Sequence, residues 1–129
     1  MCKTILVLLL VIVGSNAKAE WIAVNHNVYA AGYADPDTVV MHGNFAKIWV
    51  LVDCKMITRF IGGSPFKSIK SMEEFDCKEK KLRTLVYILH SGSMGKGEEI
   101  FRDSNPSMWT NAVPGSDMED FLNIACAKM

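Results

Sequence analysis

Phe45-Ala46-Lys47-Ile48-Trp49-Val50-Leu51-Val52-Asp53-Cys54-Lys55 is the run of residues that decides the fold. Read with a period of two, it sends Ala46, Ile48, Val50, Val52 and Cys54 to one face, which is wholly apolar and is expected to point into a core. Phe45, Lys47, Trp49, Leu51, Asp53 and Lys55 go to the other, apolar in the middle and charged towards its end. A strand apolar on both faces is covered on both, one face completely and one in part.

Working outward, His42-Gly43-Asn44 reads as a hairpin turn that joins this strand to Thr38-Val39-Val40-Met41, rich in β-branched residues. Asp35-Pro36-Asp37 is expected to be a turn, because proline presets φ and aspartate accepts a local backbone hydrogen bond. Val28 to Ala34 reads as a weaker strand, since Gly32 has no side chain to pack. Trp21-Ile22-Ala23-Val24 is a short apolar segment ending in the polar cluster Asn25-His26-Asn27.

Downstream, Gly62-Gly63-Ser64-Pro65 lies in an expected flexible connection over residues 56–66. A second strand pair runs from about Ser68 to Cys77 and from about Leu82 to His90, with Lys78-Glu79-Lys80 as turn or bulge between them. The three glycines of Ser91-Gly92-Ser93-Met94-Gly95-Lys96-Gly97 mark another turn, after which Glu98 to Arg102 could return as a short edge strand. The period then changes to 3.6. Ser116 and Glu119 form a capping box, and Met118, Phe121, Leu122, Ala125, Cys126 and Met129 make one apolar stripe. So short a helix is marginal alone and must dock on the sheet.

The chain begins with an export signal. Lys3 precedes the apolar run Ile5 to Val13, and Ala17-x-Ala19 supplies a small-x-small cleavage site. Residues 1–19 are expected to be removed, with cleavage after Ala17 as the alternative. Nine apolar residues fall short of the roughly 20 that a membrane-spanning helix needs. Cys2 precedes the apolar run, where it cannot serve as a lipid-attachment cysteine. Residues 20–129 then form a single domain with 12 basic and 14 acidic residues. That balance lacks the basic footprint of a nucleic-acid binder, and no membrane span remains in the mature chain.

Cys54, Cys77 and Cys126 remain after cleavage. An exported compartment permits disulfides, an odd count leaves one thiol over, and spacing alone leaves all three pairings open. Nothing in the sequence assembles a catalytic, cofactor or metal site. His26, His42 and His90 are scattered near turns, and no two cysteines or histidines sit at metal-ligand spacing. Cys54 has apolar neighbours and no base beside it, so it reads as a buried, inert thiol. Glu73-Glu74 and Glu98-Glu99 are adjacent pairs that a strand sends to opposite faces, unlike the facing carboxylates of a glycosidase. Lys78, Lys80, Lys81 and Arg83, with Lys67 and Lys70 near them, are the one concentration of charge. They form a candidate protein-binding patch if they are more than a solvated strand end.

Several segments, in order along nearly the whole mature chain, resemble the surface-adhesin protein E family. They are Tyr33-Ala34-Asp35-Pro36, Lys47-Ile48-Trp49-Val50-Leu51, Glu74-Phe75-Asp76-Cys77-Lys78, the 91–97 glycine segment, Pro106-Ser107-Met108-Trp109, and Val113-Pro114-Gly115-Ser116 leading to Cys126. The resemblance implies a small exported bacterial protein of α+β class, an antiparallel sheet of about five to six strands with a C-terminal α-helix packed on it. It implies a Cys77–Cys126 disulfide, leaving Cys54 where the family pattern usually has another residue. It also implies a protein partner, a host extracellular-matrix component or another envelope protein. The family's namesake is longer and lipid-anchored; this chain lacks the anchoring cysteine, so a periplasmic or secreted location is expected alongside the cell surface. The alternative reading is a periplasmic inhibitor or regulator of an envelope enzyme, work that a rigid stapled surface suits. An open sheet edge could also pair two copies into a homodimer.

Overall fold

A computed structural model describes residues 19–59 and 63–129. The expected signal peptide, apart from Ala19, lies outside the described residues, as does Gly62 of the expected connection. The strands are β1 (Ile22–His26), β2 (Ala30–His42), β3 (Phe45–Arg59), β4 (Pro65–Asp76), β5 (Lys81–His90), β6 (Glu99–Asp103) and β7 (Thr110–Asn111), followed by helix α1 (Asp117–Ala125). β1 to β6 form an antiparallel meander in sequence order, and the two-residue β7 pairs with the far end of β5. The sheet therefore holds seven strands, one more than the upper expectation, because the segment after β6 returns along the β5 edge.

Two expected interruptions are bulges inside longer strands. Asp35 still faces Trp49 and Val40 faces Lys47, so residues 36–39 stand opposite Ile48 alone. Pro36 has no N–H to give to a ladder, and Thr38 replaces the lost bonds: its hydroxyl donates to Asp35 O at 2.7 Å and accepts from Trp49 N at 3.0 Å. Asp35-Pro36-Asp37 thus kinks β2 without ending it. Likewise, the strand expected to stop at Lys55 continues to Arg59, and its partner begins at Pro65. Residues 54–57 oppose Lys67 alone, and the Lys67 ammonium bridges the bulge by donating to Cys54 O at 2.5 Å.

Alternation sorts the sheet into two faces. Ala34, Ala46, Ile48, Val50, Phe75 and Leu82 meet Phe121, Leu122 and Ala125 of α1 in the core. Ser116 caps the helix, its hydroxyl accepting from Glu119 N, and the Glu119 carboxylate accepts in return from Gly115 N at 3.0 Å. The helix is shorter than the apolar stripe suggests: it ends at Ala125, Cys126 is its C-cap and Met129 is exposed. Cys77, just past β4, and Cys126 are joined in a disulfide across 49 positions of chain, which pins the end of α1 to the sheet. Gly32 is the helix's seat. A Cβ there would lie 2.2 Å from Asn25 Oδ1 and 3.0 Å from Phe121 Cζ, so the missing side chain that marked a weak strand is what lets the helix approach.

Candidate binding surfaces

The helix does not cover its whole face. It lies over β1, β2 and β3, and beside it a cleft of about 510 Å³ is left over parts of β3, β4 and β5. Val50, Val52, Phe66, Ile69, Tyr87 and Phe121 supply apolar walls, and Glu73 lines it beside Ser71 and Thr84. Strand parity explains Glu73: it shares a face with Phe75 and faces Ile48 across the ladder. The residue is 3% exposed. Thr84 Oγ1 donates to its Oε1 at 2.8 Å, whereas Oε2 has no hydrogen-bond partner among the described residues. Burial raises the Glu73 pKa above the usual carboxylate value, opposed by the Thr84 and Ser71 hydroxyls.

The opposite face is covered by the glycine segment. Ser93–Gly95 forms a single 3-10 turn that folds back on β3 and β4. Ser68 is fully buried beneath it, its hydroxyl donating to Gly92 O at 2.6 Å and accepting from Gly95 N at 2.8 Å. Asp53 Oδ1 accepts from Met94 N at 3.0 Å. Gly97 has φ +80 and no room for a Cβ, which would meet Ser91 Oγ at 2.3 Å. Leu51, expected to be partly covered, is completely buried. His90 is buried beside this loop, with no hydrogen bond of good geometry at either ring nitrogen among the described residues. Burial lowers its pKa first, and Lys70 and Arg102 add to this, while Glu99 and the Gly97 backbone act in the opposite sense. Two open hollows flank the loop, of about 200 and 510 Å³, both lined by Ala19, Trp21 and Lys70.

Of the charged run singled out from the sequence, Lys78, Lys80 and Lys81 are exposed in and beside the β4–β5 turn. Asp76 shapes that turn by accepting from Lys78 N at 3.1 Å and Glu79 N at 3.0 Å. Arg83 is held apart from them. It is ion-paired with Glu74 at 2.8 Å and lies over the Trp109 ring, 4.7 Å from its centroid. Glu73 and Glu74 do point to opposite faces, but both are buried, which the adjacent-pair reading did not show. The signal was present: Ile69, Ser71, Glu73 and Phe75 alternate along one strand face. Cys54, expected to be buried, is a free, half-buried thiol, because it lies in the β3 bulge where regular pairing with β4 stops. Among the described residues no group of three or more His, Cys, Asp and Glu converges as a metal site, and no helix is long and apolar enough to cross a membrane.

The sequence profile of the Surface-adhesin protein E family matches residues 21–127, nearly all of the described domain. The chain belongs to this family. The disulfide, the meander and the docked C-terminal helix of this adhesin E domain agree with the resemblance noted in its sequence. The fold is similar to that of Haemophilus influenzae protein E. Crystal form II of that protein gives a TM-score of 0.66 at 13% identity, covering 88% of this chain and 92% of the other. Its selenomethionine form gives 0.65 at 13%, covering 88% and 90%. No curated protein matches the adhesin E domain by sequence.

Proposed function

We propose that this protein is an exported, adhesin-like binding protein that recognises a protein partner through the exposed cations of its β4–β5 turn. The family match over residues 21–127 carries the reading. Lys78, Lys80 and Lys81 support it, as an exposed group of like charge at a turn held beside the Cys77–Cys126 disulfide. Such a group steers an acidic surface into contact and makes binding salt-dependent. Removal of residues 1–19 would deliver the domain to the periplasm, the medium or the cell surface. The partner is then a host extracellular-matrix component or another envelope protein.

The mature domain, residues 20–129, should be immobilised and offered matrix proteins and envelope extract. A saturable partner whose binding weakens with salt is expected, with loss of binding when Lys78, Lys80 and Lys81 are all replaced by Glu. No saturable partner from either source overturns the reading. Cell fractionation separates its two forms, surface or medium exposure favouring adhesion and purely periplasmic protein favouring regulation of an envelope enzyme.

A further inference from the structure

The cleft between α1 and strands β3–β5 carries chemistry that protein docking at the β4–β5 turn does not use. Its walls are apolar and aromatic, its volume of about 510 Å³ is within the range of small-molecule sites, roughly 300–1,000 Å³, and it contains one ionisable carboxyl. Ile69, Ser71 and Glu73 alternate on its floor, so the apolar end lies about 13 Å from the acid at the usual rise per strand residue. None of the residues lining the cleft is basic.

Buried polar atoms are nearly always hydrogen-bonded, and a buried carboxylate without a cation is costly. Glu73 is 3% exposed, one oxygen is held by Thr84 and the other has no partner among the described residues. Burial raises its pKa, and no basic residue of the lining offsets that. Alone, the carboxyl is favoured in its protonated form; a cation seated in the cleft would favour the carboxylate. Rotation about the last side-chain bond of Glu73, a broad torsion, can turn an oxygen towards a group seated in the cleft.

We propose that this cleft binds a small hydrophobic amine, its apolar body held among Phe66, Ile69, Tyr87 and Phe121 and its ammonium group on the Glu73 carboxylate. A neutral alcohol would satisfy the open hydrogen bond but not the charge. A carboxylate would add a like charge at a site already short of a cation. The site therefore ranks head groups on the same chain: ammonium above hydroxyl above carboxylate.

The test is calorimetric titration of the mature domain with n-octylammonium, n-octanol and n-octanoate. Octylammonium should bind at least about tenfold tighter than octanol, the scale of one hydrogen bond to a charged group, and octanoate should bind weakest. Amide shifts on adding octylammonium should centre on Ile69, Tyr87 and Phe121. Glu73→Gln should abolish the preference for the amine while leaving octanol binding little changed. Octanol binding as tightly as octylammonium, shifts centred elsewhere, a preference that survives Glu73→Gln, or no saturable binding at all would each overturn the proposal. The wild-type ranking and the shift map need no variant. Since Lys78, Lys80 and Lys81 do not line the cleft, their Glu variant should keep amine binding, so this proposal and the protein-docking one fail separately.

Discussion

The two faces of this sheet are covered by different means. On one, a nine-residue helix is capped by Ser116, seated on Gly32 and tied by a disulfide. On the other, the cover is a loop of seven residues with a single 3-10 turn, held by Ser68 and Asp53 through hydrogen bonds to its backbone. The helix presents an apolar stripe and leaves a cleft beside Met118 and Phe121. The loop presents backbone polar groups, and Ser68 beneath it is fully buried. A helix can dock by non-directional burial, so where it stops depends on its length and staple. A loop must have its N–H and C=O groups individually satisfied, so it fits only where Ser68 and Asp53 meet it.

The largest effect expected is on the helix side. Replacing Cys77 or Cys126 by Ser removes a link that the chain-entropy account values at about 4 kcal/mol for a loop of this length. The melting temperature should fall steeply, and Cys54→Ser should change it little. If instead the single-Cys variants melted near the wild type, the helix would be held by burial alone. Gly32→Ala tests the seat. With no space for the methyl, Asn25 or Phe121 must shift, and Asn25 gives up its bonds to Asp117 O and Asp120 Oδ2; a loss of about 1–3 kcal/mol in denaturant titration is expected from such overpacking.

A smaller effect belongs to the loop. Ser68→Ala strands the Gly95 N–H and the Gly92 C=O, at about 1–2 kcal/mol. Hydrogen exchange should rise over residues 92–97 and stay unchanged in α1. Spread of that loss into the helix would mean that the two covers are coupled.

The subtlest contrast is in pH. Glu73, under the helix face, binds its proton more tightly folded than unfolded, so stability should fall as pH rises above about 4.5. His90, on the loop face, binds its proton less tightly folded than unfolded, so stability should fall as pH drops below about 6.5. Urea midpoints measured across pH should lose the first slope in Glu73→Gln and the second in His90→Gln. The same slope persisting in both variants would assign it to other groups.

Much of the fold is legible along the chain because it is local. The period-two runs, the β-branched segments, the Gly43 hairpin and the Ser116–Glu119 capping box each specify an element from a few neighbouring residues, and the structure contains all of them. Both bulges were less visible. Proline with two aspartates is the composition of a turn as much as of a bulge, and only the partner strand decides between them. Beyond Lys55 the alternation fades into exposed Met56 and Ile57, which lie in the bulge, and only the pairing of Thr58 and Arg59 with Phe66 and Pro65 carries the strand on. On the candidate site, the sequence pointed to the basic turn and to the absence of a catalytic constellation. It did not mark Glu73 as buried, because an acidic residue in a strand is ordinarily solvent-facing.

By itself, then, the sequence determined most of the strands, the helix start and the family, whose resemblance implied the antiparallel sheet, since these rest on neighbouring residues and on motifs in a fixed order. Tertiary structure alone decided that Gly32 seats a helix, that Arg83 is paired with Glu74 and stacked on Trp109, that Ser68 is buried under a loop and that Glu73 lines an apolar cleft. Each of these depends on what lies across the sheet or above it, at sequence separations where no local propensity acts and only burial and pairing choose.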